Sequence, residues 1–221
     1  MNFSKKQYAL IIAAVISFII FSYFYLDRLI AEYFLANAST YESFGDFLSL
    51  FGESNWYFAT AIIGFVIFKF IKKNELYAQR FLFLLYINIF SGLLSLILKN
   101  LFGRIRPWGL RNGGDEYGFL LFQNFDIGIV EKFKTHITTI VDATTTYTSF
   151  PSGHSTTLFT AAVYLMLLFP KHKILWLSLA ILFVSGRIMA SDHFLSDITA
   201  GALLGTLSTL YMYSKLKEKI R

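Results

Sequence analysis

Six stretches of this chain are apolar all the way round a helix, and that property constrains the fold more than any motif. They run from about Tyr8 to Leu26, Trp56 to Phe70, Phe81 to Leu98, Ser155 to Phe169, Ile174 to Met189 and Ile198 to Tyr213. A soluble helix keeps a polar face for water, and these keep none. A bilayer core about 30 Å thick asks for roughly 20 mainly apolar residues per helical crossing, a length the six runs approach. Composition agrees, because 55% of the 221 residues are hydrophobic and only 15% are charged, against roughly a quarter charged in soluble domains. The expected architecture is all-α: one domain over 1–221, a polytopic bundle of six transmembrane helices with a long outer loop between helices three and four. With no cysteine, a disulfide framework and a thiolate metal site are both excluded.

The charges are segregated along the chain. With the N-terminus inside, the inner segments hold Lys5 and Lys6, then Lys69, Lys72, Lys73 and Arg80, then Lys171 and Lys173, then Lys215, Lys217, Lys219 and Arg221; Glu75 and Glu218 are their only acidic residues. Basic residues mark cytoplasmic loops, so both termini are expected in the cytoplasm. The net charge of +6 is then a record of topology, and a nucleic-acid partner, which would need an exposed basic face, is not expected. The apolar run after Lys5 and Lys6 is longer than the core of a cleavable leader and is read as the first retained helix.

Several ionisable residues sit where a membrane protein would not place them without use. The segment from Lys99 to about Phe150 is long for a plain connection. It opens with Lys99, Arg104, Arg106 and Pro107 and closes into Pro151-Ser152-Gly153-His154. A second outward turn carries Arg187, His193 and Asp197. In the six-helix topology these positions share the outer face, and charge at a membrane edge points to a functional site. Lys99, Arg106 and Arg187 can hold a phosphate dianion, arginine offering a planar fork to its oxygens. Ser152 and Gly153, at the start of a helix, add backbone donors and the positive end of a helix dipole. Two histidines and a carboxylate then supply nucleophile, acid and orienting group.

Together these segments resemble the type 2 phosphatidic acid phosphatase (PAP2) family of integral-membrane lipid phosphate phosphatases. Lys99 is separated from Arg106-Pro107 by six residues, Pro151-Ser152-Gly153-His154 follows, and Arg187 is separated from His193 by five residues and His193 from Asp197 by three. The motif-bearing part is 99–205. The resemblance implies that His193 is the nucleophile that forms a phosphohistidine, that His154 is the acid and then the base, and that Asp197 orients His193. It further implies that Lys99, Arg106, Arg187, Ser152 and Gly153 bind the phosphate, without metal or cofactor, in a plasma membrane of the bacterial inner-membrane kind; the charge-based topology places that site on the outward face. One departure is visible: Gly186 stands where the family usually has serine.

Candidate substrates are undecaprenyl pyrophosphate, lipid A phosphate, phosphatidylglycerol phosphate and phosphatidic acid. A loop bearing Arg111, Lys132, Lys134 and Thr144-Thr145-Thr146 slightly favours a bulky headgroup. Arg104 and Trp108 are possible headgroup contacts, Arg104 being equally readable as an interfacial anchor and Trp108 as part of the aromatic belt. His136 and His172 stand outside the motifs. Two other readings are open: a non-catalytic lipid-binding or transport protein that retains the phosphate site, and, more remotely, a vanadate-dependent haloperoxidase. Oligomeric state is not legible.

Overall fold

The computed structural model describes residues 4–112, 117–122, 134, 137–138 and 146–220. Arg111's side chain, Lys132, His136, Thr144 and Thr145 lie outside what is described. Eight α-helices carry the described chain: α1 (Lys5–Tyr25), α2 (Asp27–Ala36), α3 (Ala38–Ser49), α4 (Ser54–Val66), α5 (Glu75–Phe102), α6 (Gly153–Leu168), α7 (Lys173–Met189) and α8 (Leu195–Ile220). There is no strand among the described residues; two isolated bridges pair Arg104 with Phe119 and with Thr148.

Local chemistry sets the ends of these helices. Ser4 and Gln7 form a reciprocal capping box at the start of α1, which satisfies first-turn donors. Asn74 caps α5 by accepting from Tyr77 N. At its other end Gly103 takes a left-handed conformation, φ 58°, which glycine adopts without steric penalty. That stop turns the chain out of the helix directly before Arg104 and Arg106.

Four stretches are long and apolar enough to cross a membrane: Lys6–Tyr25, Ala38–Ile71, Glu75–Phe102 and Pro170–Met189. The other two expected spans coincide with α6 and α8, and each falls short of that measure for a visible reason. α6 has only 16 residues. α8 buries small and polar residues, among them Ser196, Asp197, Gly201, Gly205, Ser208 and Thr209, because it packs against α1, α5 and α6 in the middle of the bundle. The Gly201 and Gly205 positions lie against the backbone of α6, at Ser152 O and Thr156 O, so this small-residue pattern is an internal helix seam.

Residues 27–49, which lie between the first two apolar runs, form α2 and α3. Their charges lie at helical spacing, as in the Arg28–Glu32 pair, a signal that a search for all-round apolar runs passes over. α3 packs against α7, and the two touch at glycines: a Cβ at Gly186 would stand 2.5 Å from Gly45 O and 2.7 Å from Leu48 Cβ. The glycine at the family's serine position is thus explained by the α3 backbone lying over it.

Helix direction sorts the ends. The ends of α5 and α7 and the starts of α6 and α8 meet at one end of the bundle. At the opposite end Arg80 Nε donates to Ile220 O (3.1 Å) and Tyr164 OH to Arg80 O (3.2 Å), bringing together the start of α5 and the ends of α6 and α8.

Candidate active site

Backbone hydrogen bonds set the three motif segments in register with one another. Ser149 N donates to Arg104 O (3.0 Å), Ser152 N to Asp197 O (3.0 Å), Arg106 N to Thr146 O (2.8 Å) and Trp108 N to Ser191 O (3.2 Å). Segments from forty to more than eighty residues apart are therefore held by their main chains before any side chain acts.

The cations come from three elements. Lys99, in the last turn of α5, donates from Nζ to Thr148 O (2.9 Å). It lies beside the start of α6, where a Cβ on Gly153 would be 3.8 Å from Nζ. Arg106 and Arg187 converge on one carboxylate, Asp192, at 3.3 and 2.9 Å, and the Nε of each is buried without a protein partner. Ser152 is fully buried and caps α6, its Oγ accepting from Ser155 N (3.4 Å). Gly153 and His154 follow as the first residues of α6, where backbone N–H groups have no intrahelical acceptor. Fixed cations and such donors at one place suit a phosphate.

His193 lies in the turn between α7 and α8 and is 2% exposed. Its Nδ1 is 3.4 Å from Ser149 Oγ and 3.8 Å from Asp197 Oδ2. Ser149 Oγ in turn donates to Asp197 Oδ2 (2.6 Å), which also accepts from Phe194 N (2.9 Å). The serine hydroxyl thus stands between ring and carboxylate, where direct contact was expected. Burial holds the His193 imidazolium well below the usual histidine range, and Arg106, Arg187, Lys99 and His154 act in the same direction. His154 packs at the turn before α4, where a Cβ on Gly52 would lie 3.0 Å from its Cδ2.

Arg104 corrects an expectation. It is neither a headgroup contact nor an interfacial anchor, since it is 0% exposed. One side of its guanidinium donates to Ser196 Oγ (2.6 Å) and Asp197 Oδ1 (2.5 Å), the other to Asp27 Oδ2 (2.8 Å) and Tyr117 OH (3.0 Å). The rings of Phe194 and Tyr23 lie 4.3 and 5.0 Å from it, a favourable setting for a buried cation. Burial opposes its charge, and Asp197 and Asp27 outweigh that effect, so Arg104 stays charged. A buried charge needs such partners.

Four groups at the site escaped the sequence reading: Asp27, Ser149, Asp192 and Ser196. Asp192 and Ser196 lie inside the third motif but are not fixed by its spacing. Asp27 ends the first apolar run, where an acidic residue looks like an ordinary boundary charge. Trp108 is half-buried on a 3-10 turn, Pro107–Asn112.

Residues 80–221 match the family model of the PAP2 superfamily. Over 176 residues the chain is 31% identical to "Lipid A 1-phosphatase" of Rhizobium johnstonii, a match covering 75% of this chain and 64% of that protein, just under two thirds of its length. A second "Lipid A 1-phosphatase", from Rhizobium etli, is 30% identical over 185 residues, covering 77% of this chain and 71% of the relative. A shorter match of 65 residues, 40% identical, covers 29% of this chain and 32% of the "Bacitracin transport permease protein BcrC" of Bacillus licheniformis. No solved structure matches the chain.

Proposed function

Because the chain belongs to the PAP2 superfamily, we propose that it hydrolyses a phosphate monoester or pyrophosphate of a membrane lipid. The observation that carries this reading is the gathering of Lys99, Arg106 and Arg187 with the α6 N-terminus and two histidines at one end of the bundle.

In the proposed reaction the phosphate lies among the three cations and the first donors of α6. Phosphoryl transfer asks the protein mainly to position and to stabilise charge on the equatorial oxygens. With Nδ1 protonated toward Ser149, His193 Nε2 keeps its lone pair and attacks phosphorus. A P–N bond forms, the P–O bond to the lipid breaks, and His154 gives its proton to the leaving oxygen. His154 then takes a proton from water, the hydroxide attacks phosphorus, and the P–N bond breaks to release phosphate.

Lipid A 1-phosphate heads the candidate substrates, supported by the names of the two Rhizobium relatives. Undecaprenyl pyrophosphate, phosphatidylglycerol phosphate and phosphatidic acid complete the panel. The topology proposed with this is six crossings, α1, α4, α5, α6, α7 and α8, with both termini cytoplasmic and the site facing outward.

The test is release of inorganic phosphate from that lipid panel by detergent-purified protein, beside His193→Ala and His154→Ala. Turnover by the wild type and none by His193→Ala supports the reading. Equal release by both would remove the nucleophile assignment.

A further inference from the structure

A carboxylate from outside the matched family segment is buried at the catalytic centre. Asp27 opens α2, directly after the first apolar helix, and is 0% exposed. Its Oδ1 accepts from Ser22 Oγ (2.8 Å) and Ser196 N (3.0 Å). Its Oδ2 accepts from Arg104 Nη2 (2.8 Å) and also from Ser196 Oγ. Through its other terminal nitrogen the same guanidinium reaches Asp197. One buried cation therefore faces two buried carboxylates, and the three groups together carry one negative charge.

On the phosphohistidine reading above, we propose that Asp27 is a positioning residue for His193. By holding Arg104 between two carboxylates, it leaves negative charge on Asp197, directed through Ser149 toward the ring. That charge matters because His193 becomes cationic when Nε2 bonds to phosphorus. The ring is faced by Lys99 of α5, Arg106 of the following segment, His154 of α6 and Arg187 of α7. Asp192 is engaged by the two arginines, and Asp197 of α8 is left as the carboxylate that can balance the ring. Were Asp27 neutral, Arg104 would be matched by Asp197 alone, and the ring would lose that support. The side chain's location fits this role better than simple anchoring of α2, since its donors are Ser22, the Arg104–Ser196 pair beside Asp197, and Tyr117 OH (3.5 Å), which itself accepts from Arg104.

The experiment compares wild type, Asp27→Asn and Asp27→Glu on whichever lipid of the panel the wild type turns over. Asp27→Asn is expected to lower kcat at least tenfold with KM within twofold. The acid limb of kcat/KM should move to lower pH, because a negative charge that favours the imidazolium is gone. Asp27→Glu, which keeps the charge, should recover most of kcat. A folded Asp27→Asn with wild-type kcat and pH profile overturns the proposal; so does a loss of kcat with an unmoved profile and no recovery in Asp27→Glu. Should Asp27→Asn not accumulate, Arg104→Lys decides, because one ammonium cannot bond both carboxylates as the fork does. A tenfold kcat loss at unchanged KM supports the proposal, and wild-type turnover overturns it. Wild-type protein inert on every lipid would instead overturn the phosphatase reading itself, whereas an active wild type with an inert His193→Ala leaves that reading standing whatever Asp27 does.

Discussion

The Asp197 carboxylate stands 3.8 Å from His193 Nδ1, and the Ser149 hydroxyl, 2.6 Å from the carboxylate and 3.4 Å from the ring, lies between them. At 3.8 Å the carboxylate is beyond hydrogen-bond reach of the ring. The serine can accept from the protonated Nδ1 while donating to Asp197, and so fixes the tautomer that leaves Nε2 free. Ser149→Ala is therefore expected to lower kcat about 10- to 100-fold with little change in KM, since an unsatisfied buried polar group costs about 1–3 kcal/mol. Steady-state kinetics on the preferred lipid check this, and a fall confined to KM would contradict it.

Asp192 occupies the gap between the two clamp arginines. On the proposed phosphatase reading, a bound phosphate must share Arg106 and Arg187 with it. Asp192→Asn should therefore tighten anion binding, by about fivefold if the partly exposed pairs are worth about 1 kcal/mol. The inhibition constant for orthovanadate, compared between wild type and variant, measures this; weaker inhibition would show that Asp192 organises the arginines instead of competing for them.

The pH behaviour of His193 follows from its surroundings. Burial, then Arg106, Arg187, Lys99 and His154, hold its protonation well below the ordinary histidine value of about 6.5, so the ring stays neutral into mildly acidic solution. Arg106→Gln removes one opposing cation, and the acid limb of kcat/KM should move to higher pH; comparison with wild type on the same lipid cancels the substrate's own ionisation. Stability has the same origin. Above about pH 6.5 neither folded nor unfolded His193 is protonated, whereas below it the unfolded chain takes up a proton that the folded one refuses. Stability should fall as pH drops from about 6.5 toward the folded value, and His193→Gln should lose that part of the slope in thermal unfolding.

Gly186 lies where α7 crosses α3, and a Cβ there would meet Gly45 O at 2.5 Å and Leu48 Cβ at 2.7 Å. Restoring the family's serine should therefore destabilise the protein, by about 1–3 kcal/mol as for other overpacked sites. A lower thermal midpoint for Gly186→Ser in detergent is the expected result; an unchanged midpoint would mean that α3 can move aside.

The motif residues were legible because their chemistry depends on spacing that the chain displays. Lys99, His154 and Arg187 stand at helix ends, and Arg106 and His193 in the segments just beyond α5 and α7. Asp27 was not legible, because its meaning depends on a partner 169 residues away, Ser196, brought near by the corner between α1 and α2. Arg104 was misread for a related reason: beside Arg106 it looked like a second surface cation, and nothing in the local sequence shows that two carboxylates from distant helices enclose it. Helices α2 and α3 were missed because their amphipathic pattern is drowned by the apolar runs around it. The departure at Gly186, by contrast, was visible at once and became intelligible only with the α3 backbone in place.

The orientation of the site rests on charge segregation and can be tested without activity. Asn55, exposed at the start of α4, lies near the active-site end, and Lys72, exposed just past the helical turn Ile67–Ile71, lies toward the other. The chain has no native cysteine, so Asn55→Cys and Lys72→Cys each introduce a single thiol. An impermeant maleimide applied to intact cells, with the outer membrane permeabilised where there is one, should label Asn55→Cys, and should label Lys72→Cys only after lysis. Basic residues gathered at the Lys72 end are expected to stay in the cytoplasm, and the reverse labelling pattern would turn the protein over and place the phosphate site on the inner leaflet.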